Sequence, residues 1–136
     1  LSDKPSELHG KSIGEELLVP TRIYVEEVLS LLSQGTEIHG IAHVTGGGIP
    51  SKLGSIIPGG LSAVIDSTAW QPQAIFNLIQ KLGHVSDDEM HHSFNMGIGM
   101  VLVLPKQSAD RIRTLQKDSR IIGKITKGTE KVLVQS

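Results

Sequence analysis

The sequence contains no cysteine, so it cannot build a disulfide, a thiolate nucleophile or a cysteine-based zinc site. Aromatic residues make up only 3% of it, too few for the basic-aromatic stripe of a nucleic-acid-binding surface. An excess of either charge is missing too. The formal net charge is −1, from 13 basic and 14 acidic side chains, which gives no field for nonspecific attraction to nucleic acid or to an anionic membrane. The longest apolar stretch, Met100-Val101-Leu102-Val103-Leu104, is far too short to span a bilayer, and no signal-peptide series opens the chain. These absences suit a cytoplasmic protein with neither nucleic acid nor membrane as a partner. Also missing are a Ser-His-Asp phrase and a Walker-type glycine loop with lysine.

What is present begins with length. At 136 residues the chain suits one domain with a real hydrophobic core, leaving no room for a second catalytic domain. Leu1 stands in place of a methionine, and with no targeting segment the chain reads as cut from a longer one. Residues 1–19 are polar, carry Pro5, Gly10 and Gly14, and lack an apolar period, so they read as a flexible arm or interdomain link. Residues 20–136 form the domain proper.

Within that domain, Val25, Val28, Leu29 and Leu32 fall at helical spacing, which predicts a short amphipathic helix ending near Gly35. A strand is expected at about 37–44 and another at 61–66. Pro72 suits a first helical position, Ile75, Leu78, Ile79 and Leu82 share a face, and Gly83 is a natural C-cap, so a helix is predicted over 72–82. Ser86 and Glu89 form a capping-box signature for a helix at 87–93. The run 97–104 is apolar on both strand faces, as a central strand covered by helices would be. Ala109, Ile112 and Leu115 mark a further helix, and 120–125 with 131–134 read as a closing hairpin around Gly128. The alternation predicts an α+β or α/β-type sandwich: a mixed sheet with helices on both faces.

The most informative phrase is Thr45-Gly46-Gly47-Gly48, entered from Ile38-His39-Gly40-Ile41-Ala42-His43-Val44. Consecutive glycines permit positive φ and let backbone N–H groups approach a ligand, which is how proteins hold phosphate. A helix after them, with Ile49, Leu53 and Ile56 or Ile57 on one face, would aim its N-terminus at the same spot. A tight turn without ligand is the competing reading. Thr45 is either an N-cap or a hydroxyl donor to a phosphate oxygen. His39, His43 and Thr45 share a strand face, but no carboxylate at suitable spacing completes a metal site, and none is expected. His43 is the candidate for proton transfer or substrate orientation, set against a histidine that merely satisfies its hydrogen bonds. Arg22 suits phosphate or carboxylate, or is a solvated side chain beside a helix start. Asn95 caps a turn or lines a cleft, and Gly97 and Gly99 allow close packing or do the same. His84, His91 and His92 carry no assigned chemistry, and Asp87, Asp88 and Glu89 complement a helix dipole.

Pro20-Thr21-Arg22-Ile23-Tyr24-Val25, His39 through Pro50, and Phe94-Asn95-Met96-Gly97-Ile98-Gly99-Met100-Val101, in that order and spacing, resemble the C-terminal domain of phosphoribosylformylglycinamidine cyclo-ligase, or aminoimidazole ribonucleotide synthetase. The resemblance covers roughly residues 14–127. It implies a layered helix-sheet-helix domain on the substrate side of an ATP-dependent ring closure. Formylglycinamidine ribonucleotide becomes aminoimidazole ribonucleotide, a step of purine biosynthesis. It further implies a preceding ATP-binding domain, absent from this chain, that holds ATP and Mg2+. The full-length enzyme is expected to be a homodimer and this chain alone inactive. On this reading Thr45, Gly46, Gly47 and Gly48 bind the substrate phosphate, His43 orients it or exchanges a proton, and Arg22 and Asn95 are weaker cleft candidates. Formylglycinamidine ribonucleotide synthetase and selenophosphate synthetase share the two-domain design and are the enzyme alternatives. A non-catalytic binding module is the third.

Overall fold

A computed structural model describes residues 1–135, with the side chain of Leu115 outside that description. The chain order is α1 (Ile13–Leu17), α2 (Val25–Ser33), β1 (Gly40–His43), α3 (Gly48–Gly54), β2 (Leu61–Asp66), α4 (Ala74–Gly83), α5 (Asp87–Ser93), β3 (Met100–Val103), α6 (Lys106–Leu115), β4 (Gly123–Lys127) and β5 (Val132–Gln135), with 3-10 turns at Ser6–Leu8 and Ser67–Ala69. This is the expected α+β fold. Its strands form two sheets: β1 and β3 pair antiparallel, while β2 lies between antiparallel β4 and parallel β5 in a mixed sheet.

The placement of strands corrects two expectations. The apolar run ending at Leu104 is not the middle of a sheet, because β3 has β1 as its ladder partner among the described residues. β4 and β5 do not form a hairpin with each other. Each pairs with β2, whose Ser62, Ala63 and Ile65 are buried, so the most deeply covered strand recruits both later strands as its neighbours.

One core joins the two sheets. Ala42 and Val44 from the β1 end, Ile49, Leu53 and Ile57 from α3 and just beyond, Ala63 and Ile65 from β2, Met90 from α5 and Val101 from β3 pack together with Trp70 and Met96. The expected apolar face after the glycines is therefore real, and α3 touches β1, β5 and α5 at once. Burial of such side chains is the dominant favourable contribution to folding, at about 1.5–3 kcal/mol for each large aliphatic group.

Helix details depart from the sequence reading in instructive ways. In α2 it is Leu31 that is buried, while Val25 and Leu29 stay 59% and 58% exposed, so the packed stripe is rotated from the predicted one. α4 starts after Gln73, not at Pro72, and its left-handed cap is His84 at φ 51° with Gly83 still inside the helix. Ser86 caps α5 by accepting from the Glu89 N–H at 3.2 Å, whereas the Glu89 carboxylate accepts from Ser93 instead of closing a reciprocal box. The reciprocal box occurs at α1: Ser12 Oγ accepts from the Glu15 N–H, and the Ser12 N–H donates to the Glu15 carboxylate at 2.7 Å. Segment 1–19 thus carries a turn and a capped helix, with Leu8 buried and Glu7 bridged to Lys81 of α4 at 3.2 Å.

Candidate functional site

β1 ends at His43 and leads directly into the glycine loop. Burial alternates along it, with Ile41, His43 and Thr45 exposed and Ala42 and Val44 buried, so the side that bears His43 and Thr45 faces away from the core. His39 is on the exposed side as well, but its ring is tied to the Glu37 carboxylate at 2.7 Å. Among the described residues no three His, Cys, Asp or Glu side chains come together to hold a metal ion.

Each residue of the loop is handled differently by the fold. Thr45 does not cap α3; the cap position is Gly47, at φ 90°. The Gly48 N–H donates to the Thr45 carbonyl at 3.1 Å, closing the turn. A Cβ on Gly48 would lie 2.0 Å from the carbonyl oxygen of His91 and 2.8 Å from that of Phe94, so this glycine exists to let α3 approach the end of α5. Gly46 is exposed, and a Cβ there would meet nothing within 4 Å. The N–H groups of Gly46 and Gly47 have no hydrogen-bond acceptor among the described residues. The loop therefore has one packing glycine and an open rim formed by Thr45, Gly46 and Gly47.

His43 has a neighbour that periodicity did not reveal. The Tyr24 ring lies edge-on to it, with centroids 6.2 Å apart and an interplanar angle of 62°. The Arg22 guanidinium carbon is 5.6 Å from the centre of the same tyrosine ring. Arg22 is not an unengaged phosphate clamp: it donates to Glu27 at 2.9 and 3.3 Å and to Asp118 at 3.4 Å. The Glu27 hydrogen bond raises the Arg22 pKa further, and the same bond holds the Glu27 carboxyl below its ordinary value. Asn95 accepts the Gly97 N–H at 3.0 Å, the turn-capping role of the two anticipated for it.

A cleft of about 480 Å³ lies beside this row. Arg22, Tyr24, Leu31, Trp70, Gly99 and Ile122 help to line it, but His43, Asn95 and Thr45–Gly48 do not. Gly97 and Gly99 both line it and make room for side chains, of Gln73 and Tyr24 respectively. The structure thus joins Arg22 to His43 through Tyr24, leaves the glycine rim beyond His43, and assigns Asn95 to backbone geometry. A glycine immediately before an apolar strand was the sequence signal for the Tyr24 seat, but its partner was unreadable.

The fold moves the titration of His91. This histidine is half-buried, its ring meets Trp70 edge-on with centroids 6.2 Å apart, and desolvation lowers its pKa from the ordinary 6.5 despite the opposing pull of Asp87 and Asp88. A lowered folded-state value means that the unfolded chain takes up the proton first. The folded state keeps its full stability above the ordinary value and loses part of it as pH falls through that value toward the lower one. Melting temperatures at pH 7.5 and 5.5 are expected to differ more for the natural chain than for His91→Gln; equal losses would refute the assignment.

Residues 1–135 match the family described as AIR synthase related protein, C-terminal domain. The chain belongs to this family. Curated relatives carry the name phosphoribosylformylglycinamidine cyclo-ligase. That of Lactobacillus delbrueckii subsp. bulgaricus is 45% identical over 115 residues, covering 85% of this chain and 33% of the relative. That of Geotalea daltonii is 47% identical over 127 residues, covering 88% and 36%, and that of Lactobacillus acidophilus 42% identical over 142, covering 99% and 41%. The chain spans about a third of the length of the first two and two fifths of the third. No helix among its described residues is long and apolar enough to cross a membrane.

Proposed function

We propose that this chain is the substrate-side half of an ATP-dependent cyclo-ligase that converts formylglycinamidine ribonucleotide to aminoimidazole ribonucleotide, with release of ADP and phosphate. The observation that carries the reading is its family membership, with relatives 42–47% identical bearing the cyclo-ligase name. An amide oxygen is a poor leaving group. Transfer of a phosphoryl group from ATP to that oxygen makes an iminophosphate, and an internal nitrogen then displaces phosphate and sheds a proton as the ring closes. Such a transfer needs magnesium and a triphosphate site, and the glycine loop here lacks the lysine of a Walker-type loop. The reading assigns both to a preceding domain and regards this chain alone as inactive.

The role left to this half is to hold the substrate. The rim of Thr45, Gly46 and Gly47 offers a hydroxyl and backbone donors to the ribonucleotide phosphate, and exposed His43 beside it receives or returns a proton. Gly48 takes no direct part, because its N–H is already bonded. The deciding experiment is ATP-dependent formation of aminoimidazole ribonucleotide by the full-length protein; no product from a folded full-length protein would overturn the reading in favour of a binding module. The rim has its own test in this chain. Titration with inorganic phosphate is expected to move the amide resonances of residues 45–47 most, and to do so less as salt rises. Largest shifts elsewhere, or equal binding by Gly47→Val, would reduce the loop to a turn.

A further inference from the structure

We propose that Tyr24 is a positioning residue for His43, seated on the bare backbone of Gly99; the role rests on His43 acting on the substrate as read above. Tyr24 is the sole tyrosine of the chain and stands immediately before α2. Gly99 stands immediately before β3. The β1–β3 ladder sets His43 opposite Met100, and the Val44 N–H donates to the Gly99 carbonyl at 2.9 Å, so Gly99 and His43 are neighbours across the two strands. A Cβ on Gly99 would lie 2.1 Å from the Tyr24 hydroxyl oxygen, 2.8 Å from Cζ and 3.0 Å from Cε2. The phenol ring occupies the space that any other residue at 99 would fill.

That seat presents the ring edge-on to the imidazole. Arg22 lies over the same ring and is anchored in turn by Glu27 and Asp118, so the tyrosine is braced by a guanidinium that is itself fixed at both ends. His43 needs the brace. It is exposed and forms no side-chain hydrogen bond among the described residues, so without a wall its ring would be free to exchange among staggered rotamers. Proton transfer requires the imidazole nitrogen within hydrogen-bond reach of the reacting atom, and misplacement by about 1 Å can cost about a hundredfold in rate. The Tyr24 hydroxyl makes no hydrogen bond among the described residues, so the ring itself supplies the wall.

The kinetic test uses the full-length enzyme. Tyr24→Leu is expected to lower kcat about tenfold with KM nearly unchanged, Gly99→Ala to do the same by filling the seat, and Tyr24→Phe to retain natural rates. Tyr24→Leu added to His43→Ala is expected to cost nothing further, the signature of a residue acting through another. A second readout needs no turnover. In carbon-proton spectra of the histidine rings of this chain, with His43 identified by its disappearance in His43→Ala, the His43 signals are expected to move in Tyr24→Leu and Gly99→Ala and to stay in Tyr24→Phe. Unmoved signals would overturn the placement of the ring. Moved signals, a slow His43→Ala and a normal Tyr24→Leu would overturn the positioning role alone. Moved signals with a normal His43→Ala would overturn the reading of His43, and the catalytic consequence with it.

Discussion

Gly48→Ala is expected to destabilise the chain by about 3 kcal/mol or more, combining the strain of a left-handed residue with overpacking against a fixed backbone. The added methyl would meet the carbonyl oxygens of His91 and Phe94, and φ at this position is +59°. Neither obstacle is the flexible tip of a side chain, so relief requires α3 to part from α5. That separation would also disturb Ile49 and Met90, both essentially inaccessible to solvent. Against a total stability of about 5–15 kcal/mol the loss is large, and the melting temperature should fall by roughly 10 °C or more. Gly46→Ala is the matched control, with open space around its Cβ and no positive φ, and should stay within about 0.5 kcal/mol. Denaturant midpoints for the two variants settle the matter: similar values would mean that the contact between loop and α5 is not what requires glycine.

The largest effect on activity is expected from His43→Ala in the full-length enzyme. Loss of a general acid or base typically lowers turnover by roughly a hundredfold or more. Stability should hardly change, since the side chain is exposed and its replacement leaves no buried group without a partner. A higher KM with kcat preserved would instead assign His43 to ground-state binding. His39→Ala is the internal control: its ring is exposed and held by Glu37, so normal kinetics and near-normal stability are expected. If both variants keep normal kinetics, the catalytic assignment fails.

Much of the architecture was legible because it follows from local rules. The apolar spacing after the glycines anticipated the buried face of α3, and the Ser86 signature placed α5. Where the outcome depended on distant partners, periodicity fell short. The exposed stripe of α2 satisfies helical spacing as well as its packed side does, and the buried residue of the helix, Leu31, is one that lines the cleft. His84 takes the left-handed cap beside an available glycine, an outcome that composition alone would not suggest. At the candidate site, glycine permissiveness pointed correctly to an unusual backbone at 47 and 48, but the reason for Gly48 lies in the carbonyls of α5. The seat of Tyr24 is likewise a property of two segments that meet only in the fold.

The position of β2 has a consequence for the order in which the molecule can assemble. Its ladder partners, β4 and β5, are both supplied far downstream, and the β5 pairing is parallel. Loop-closure entropy must be overcome before either ladder yields its contacts, a topology associated with slow folding. During synthesis, β2 emerges with both edges unpaired and keeps them so until Gly123–Lys127 and Val132–Gln135 arrive. In that interval its unpaired edges are a template for strands of other chains, so the nascent chain is vulnerable to aggregation until β4 and β5 are made.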